Sequence, residues 1–427
     1  MRIVRNSPIW TVVFLAPTFV QRIFIGGEAL SYDELAGISL TALGYICHLS
    51  IVLRYIASPI TSEQSSYTLQ RWMMIAALSA GHAMMLVVEQ PPGSELGLAS
   101  IGRQLLWLFA CLAMSGLTTP DELLRRLVQF TNATFLVVAL TYAVYQLSGF
   151  PFQILISNGE PRAQGLLSEP SGIGCLVAGY VGLAAWQGRW WRLALAVAVV
   201  LMAYSVIGLI GFVVGLFFGL ARRHASSRRL RRTITLVVLC LLPMAFVGIP
   251  LFAHEISEAA RNALHSSIAI SLQDNLLYRG FGERALQALS ILDVAIEIVG
   301  SGENIAGGGL FRFTSVLLML EHLQQSYHLW FGYGLGVHAQ LMLKEIDTIL
   351  DFGLLPFLLS SFGLIGGLVF FGWLALTMSR GESGLYAYAV PFAAVSFVNS
   401  AGGIHMYSVV LLACFVLERA HHRRPTA

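Results

Sequence analysis

Apolar residues in this chain run in blocks long enough to cross a bilayer, and polar residues collect between the blocks. A spanning helix needs about 20 mostly apolar residues. Twelve blocks approach that measure, at roughly 8–26, 34–56, 70–88, 98–117, 127–149, 170–187, 190–205, 206–222, 233–252, 350–378, 384–400 and 403–419. The predicted fold is all-α and polytopic, with residues 1–427 forming a single integral membrane domain. The division at 204–208 rests on Tyr204, Ser205 and Gly208 alone. Residues 118–126 predict a short separate helix before the fifth block. Thr119 caps it, Pro120 suits its first turn, and Asp121 and Glu122 face the positive end of its dipole.

One stretch, 253–349, is too polar for a bilayer. It carries ten acidic residues, Arg261, Arg279, Arg284, Arg312 and the chain's one lysine, Lys344, with five of the 11 histidines. Within it, 255–264, 283–299 and about 311–330 read as helices, and Gly300 to Gly309 as a glycine-rich break. The last of these helices puts Arg312, Ser315, His322 and Ser326 along one face, suited to the membrane interface over a lipid headgroup.

Arginine placement fixes the orientation. The clusters are Arg2 and Arg5, Arg125 and Arg126, Arg189 and Arg192, the run Arg222 to Arg232, and Arg419 to Arg424. With twelve spans and both ends inside, every cluster is cytoplasmic and 253–349 is extracytoplasmic. The loops 150–169 and 401–404 then face outward too. The basic run 222–232 is read as a topology anchor, not a nucleic-acid surface.

Composition agrees with a membrane class. The chain is 56% hydrophobic, 11% charged and has a mean hydropathy of +0.72, against about 25% charged residues in soluble domains. The five cysteines, Cys47, Cys111, Cys175, Cys240 and Cys414, lie in apolar blocks and read as reduced core thiols, with no metal spacing. The first apolar block lacks a small-residue cleavage site and reads as a retained helix.

Three groups of residues have chemical potential. The first is Arg162-Ala-Gln-Gly-Leu-Leu-Ser-Glu169-Pro-Ser, just before the sixth block. Its guanidinium suits phosphate oxygens, and an acid near the membrane is by default a functional candidate. A headgroup anchor and a dipole partner account for the same two residues equally well. The second is Arg312 with Phe331-Gly-Tyr333-Gly-Leu-Gly-Val-His338. Its glycines follow a helix, not a strand, so they serve close backbone approach before any dinucleotide. A structural role for His338 is the plainer reading. The third is Asp351 and His405, beside Asn399, all facing the outer compartment. Buried polar groups at helix ends also simply satisfy one another. His48 and His82 read as packing or interhelix contacts. With no Asp-x-Asp motif in the outer loops, a phosphate site would use arginines as its counter-charge, and Arg162, Arg279, Arg284 and Arg312 supply them.

In these motifs the chain resembles bacterial O-antigen and exopolysaccharide polymerases, of the superfamily that includes the O-antigen ligases. The match is carried by Arg162-Ala-Gln-Gly-Leu-Leu-Ser-Glu-Pro-Ser, by Arg312 leading to Phe331-Gly-Tyr-Gly-Leu-Gly, and by Phe362-Gly-Leu-Ile-Gly366. It covers about residues 100 to 420. The resemblance implies a GT-C-like fold and glycosyl transfer without metal or other cofactor. A hydroxyl of one lipid-linked glycan attacks the anomeric carbon of another, and polyprenyl diphosphate leaves. It assigns Arg162 and Arg312 to the diphosphate, with Arg279 and Arg284 as further candidates. Glu169, His338 and Asp351 are candidate bases, with His405 and Tyr333 behind them. Expected partners are the polyprenyl-diphosphate-linked oligosaccharide, membrane lipid, a chain-length regulator and a flippase, with no nucleic acid. The ligases' histidine ahead of the Gly-Leu-Ile-Gly step is missing, since Leu350-Asp351-Phe352 stands there. That lowers the ligase alternative and a histidine-base mechanism. A transporter or flippase would favour mid-membrane charges in repeated halves, and this chain has neither.

Overall fold

The computed structural model describes residues 7–19, 23–25, 28–30, 40–58, 94–157, 160–165, 167, 172–251, 328–332, 354–381, 383–398 and 403–422. These residues are mostly helical. The helices are α1 (Ser7–Phe19), α2 (Leu40–Ile56), α3 (Ser94–Leu117), α4 (Pro120–Ser148), α5 (Ile173–Gln187) and α6 (Trp190–Ala203). They continue with α7 (Val206–His224), α8 (Arg228–Leu251), α9 (His328–Phe331), α10 (Leu354–Ser379), α11 (Gly384–Val398) and α12 (Gly403–His422). Among the described residues, three helical stretches are long and apolar enough to cross a membrane: Pro120–Ser148, Val206–His224 and Phe362–Ser379. Eleven of the twelve expected blocks overlap a helix. The twelfth, 70–88, lies outside the described residues, as does 253–349 apart from 328–332.

Two boundaries differ in an instructive way. The short helix expected at 118–126 is the first part of α4. Thr119 is its N-cap, with an extended backbone and a side chain that accepts from Glu122 N at 3.3 Å, and Pro120 sits in the first turn. No proline or glycine follows before Gly149, so nothing stops the helix at residue 126. The weak break at 204–208 is a full one. Tyr204 closes α6 in the left-handed region (φ 43°, ψ 47°), and Ser205 caps α7 by accepting from Gly208 N at 3.1 Å.

The interior is built around α5 and α11. Every residue of α5 from Ile173 to Ala185 is buried, as is every residue of α11 from Leu385 to Phe397. A helix apolar on all sides belongs in a core. Helices α5 and α7 run parallel, joined through the short antiparallel α6. A Cβ on Gly211 would lie 2.3 Å from Gly174 O, one on Gly215 2.4 Å from Ala178 O, and one on Gly219 2.5 Å from Gly182 O. Both helices thus present a small residue every fourth position, and their backbones touch. This is the close approach by which helices associate in lipid, where no hydrophobic drive exists between them. On its other side α5 meets α11, where Gly182 faces Ala387 O and Pro391 and Gly179 faces the Tyr388 ring. Tyr388 reaches across to α4 and shares a 2.8 Å hydrogen bond with Thr131.

Arginines collect at one end of this bundle. Arg222 is buried, donates to Gly381 O in the turn after α10, and lies over the Phe218 and Tyr386 rings. Arg223 lies against Gly188 in the turn before α6. Buried Arg419 donates to Ser115 O at 3.0 Å and packs with Tyr55 on Gly116. Leu124 of α4 meets Gly384 at the start of α11, next to Arg125 and Arg126, which pair with Glu122. Two antiparallel hairpins sit at the opposite end and touch each other: β1 (Ile23–Ile25) with β2 (Glu28–Leu30), and β3 (Ile154–Ser157) with β4 (Glu160–Ala163). The all-α expectation has no place for them. They lie between helices, where three or four residues form a ladder in place of a loop.

Candidate functional site

Arg162 stands on β4, opposite Leu155 of β3. The hairpin follows the end of α4, where Gly149 takes the left-handed conformation (φ 71°) and its N–H caps Tyr145 O. The ladder continues past β4, with Gln164 N donating to Gln153 O at 3.1 Å. The chain then turns at Gly165, again left-handed at φ +65°.

That turn is pressed into the bundle. A Cβ on Gly165 would lie 2.9 Å from Val138 Cγ2, 3.1 Å from Thr134 Cγ2 and 3.2 Å from Thr134 O. Thr134 and Val138 stand near the middle of α4, so the turn reaches far below the helix end at Ser148. Strand β4 also touches α6. Non-helical backbone at such depth persists only where protein encloses it or where it lines a cavity. Ala163, Gln164 and Gly165 are fully enclosed, and Arg162 is half-buried. A guanidinium held this way is aimed by its backbone, in contrast to an arginine snorkelling from a helix end.

A second junction unites two of the sequence motifs. Helix α10 is broken at Gly363, whose φ of 65° and ψ of −171° fall in a region open essentially to glycine alone. The break receives the backbone of α9. A Cβ on Gly363 would lie 2.3 Å from Trp330 C and 2.4 Å from Phe331 N. Gly332 closes α9 with φ 75°. Phe331-Gly332, the start of one glycine-rich motif, therefore rests on the first glycine of Phe362-Gly-Leu-Ile-Gly366. Sequence reading singled out both motifs without linking them.

Of the candidate residues, Arg162 is the one whose side chain the structure describes. The backbone of His405 lies in the first turn of α12. Glu169, Arg279, Arg284, Arg312, Tyr333, His338 and Asp351 lie outside the described residues, so the meeting of Arg162 with Arg312 stays an expectation. His48 is buried and lies 5.6 Å from the Phe14 ring, while His82 is outside the described residues. Cys111, Cys175 and Cys414 are buried. Among the described residues no three His, Cys, Asp or Glu side chains come together as a metal site would require.

Sequence reading did not foresee the strand under Arg162. The signal was present: Ile154-Leu-Ile-Ser157 is followed by Asn158-Gly159, the dipeptide that favours two-residue hairpins. Gln164, fully buried just beyond the arginine, carries no comparable signal in the sequence. Comparison of the chain with family models, with curated proteins and with solved structures finds no match.

Proposed function

We propose that the chain is a glycan polymerase of the bacterial cytoplasmic (inner) membrane, with twelve spans, a GT-C-like fold and both termini inside. It joins polyprenyl-diphosphate-linked oligosaccharide repeat units at the outer face. A hydroxyl of the acceptor glycan attacks the anomeric carbon of the donor sugar, and the bond from that carbon to the diphosphate oxygen breaks. The diphosphate leaves with the electron pair, and the hydroxyl proton passes to a base drawn from Glu169, His338 and Asp351. Arg162 and Arg312 grip the diphosphate as its charge grows. A preorganised donor aimed at developing charge is worth about 3 kcal/mol, a hundredfold or more in rate.

The observation that carries this reading is the placing of Arg162. It stands apart from the arginine-rich end, on a strand that leads into an enclosed turn at Gly165 pressed against mid-height of α4. A topology anchor has no need of that setting, whereas a phosphate ligand has. The contact of Trp330 and Phe331 with Gly363 of Phe362-Gly-Leu-Ile-Gly366 gives further support.

The test is genetic and chemical. Deletion of the gene leaves single repeat units on the lipid, read by mass spectrometry of lipid-linked sugars. Arg162→Ala and Arg312→Ala each abolish polymer at normal protein level. The lysine variants restore it only in part, because a point charge lacks the guanidinium fork. Full-length chains stranded on the lipid would indicate a ligase, and wild-type chain length in both alanine variants would overturn the site.

A further inference from the structure

Gln164 is 0% exposed, and neither the oxygen nor the nitrogen of its side-chain amide has a hydrogen-bond partner. A buried amide without protein partners is costly unless something bound supplies them. Methionine, of the same length, would fill the space without that cost. The backbone around it is in order. Gln164 N donates to Gln153 O at 3.1 Å, and Gln164 O accepts from Leu167 N at 3.3 Å. The unpaired groups are thus confined to the side chain. Gln164 lies two positions beyond Arg162, just past the end of β4, where its N–H still reaches Gln153 O.

We infer that Gln164 binds the donor sugar itself, through a hydroxyl or acetamido group next to the diphosphate that Arg162 grips. This inference rests on the function proposed above. The amide has two ends to satisfy. Phosphate oxygens only accept, so a phosphate would pair the nitrogen and strand the carbonyl. A sugar hydroxyl or an acetamido group both donates and accepts, and pairs the two together. The arginine then holds what all such donors share, and the glutamine reads the sugar that differs between them. A site built to hydrogen-bond a polar group discriminates strongly against ligands that lack it.

The experiment uses the full-length protein in nanodiscs with two probes: polyprenyl diphosphate, and the polyprenyl-diphosphate oligosaccharide extracted from a deletion strain. The wild type binds the sugar-bearing lipid more tightly. Gln164→Met lowers affinity for it about tenfold, a loss of about 1.4 kcal/mol, and leaves affinity for polyprenyl diphosphate unchanged. Arg162→Ala weakens both. The ligand-free Gln164→Met protein melts at or above the wild-type temperature, because it carries no unpaired amide. Gln164→Leu serves as the second variant and is expected to behave alike. If both variants keep the wild-type preference, or melt below the wild type without ligand, the inference is overturned and the proposed function stands. If the wild type binds neither lipid, both are overturned.

Discussion

At the scale of single residues, two glycines separate backbone strain from close approach. Gly149 and Gly165 share the left-handed conformation, at φ 71° and 65°. Any side chain there costs about 1–2 kcal/mol. Gly149 has nothing within 4 Å of an added Cβ, whereas Gly165 has Val138 Cγ2 at 2.9 Å and the Thr134 carbonyl at 3.2 Å. Gly149→Ala should therefore lower the thermal midpoint modestly and leave polymer length normal. Gly165→Ala adds the cost of overpacking, about 1–3 kcal/mol more, and lifts Arg162 with the turn. Its polymer should fall well below that of Gly149→Ala at matched protein level. Equal effects from the two would mean that the turn's seat on α4 plays no part in aiming the arginine.

At the scale of elements, helices were legible in the sequence where the signal was local. Thr119 with Pro120 marks the start of α4, and Ser205 marks the start of α7, because a cap needs only its own three residues. The β3–β4 hairpin was legible in principle through Asn158-Gly159, but its strands are too short to show an alternation against apolar neighbours. What sequence could not give was partnership. Gly211, Gly215 and Gly219 recur every fourth residue, yet only the structure shows that they meet Gly174, Ala178 and Gly182. Gly363 likewise reads as one small residue in an apolar block until Trp330 is found in the space its side chain would fill. The α5–α7 seam makes a direct prediction. Gly215→Leu must push a carbonyl 2.4 Å away out of its path, and two helices that touch by backbone cannot yield locally. The purified protein should lose its monodisperse elution or most of its thermal stability. Leu209→Ala, on the exposed face of the same helix, should change either by little. A normal elution profile and melting temperature for Gly215→Leu would show that the two helices are free to separate.

At the scale of the whole molecule, most of the described arginines gather at one end of the bundle, and that gathering predicts how the chain sits in a membrane. Arg222 and Arg223 end α7 and Arg419 lies on α12, far away in sequence, yet their contacts with Gly381, Gly188 and Ser115 bring them to one end with Glu122, Arg125 and Arg126. Arg228, Arg229 and Arg232 are exposed just beyond. Arginines in short loops remain on the cytoplasmic side, so under the proposed function this end is expected to face inward and the end carrying the hairpins outward. Between them the bundle shows apolar side chains to its surroundings, among them Leu140, Val213, Phe217 and Leu368, as a lipid-facing surface requires. Two exposed serines mark the two ends: Ser148 closes α4 beside the β3–β4 hairpin, and Ser226 lies between α7 and α8. A cysteine at residue 148 should react with a membrane-impermeant maleimide in cells whose outer envelope alone has been opened. A cysteine at residue 226 should react only after the cytoplasmic membrane is permeabilised. The unsubstituted protein supplies the baseline for its five native thiols. Labelling at 226 without labelling at 148 would invert the molecule, put Arg162 in the cytoplasm, and remove it from any substrate presented at the outer face.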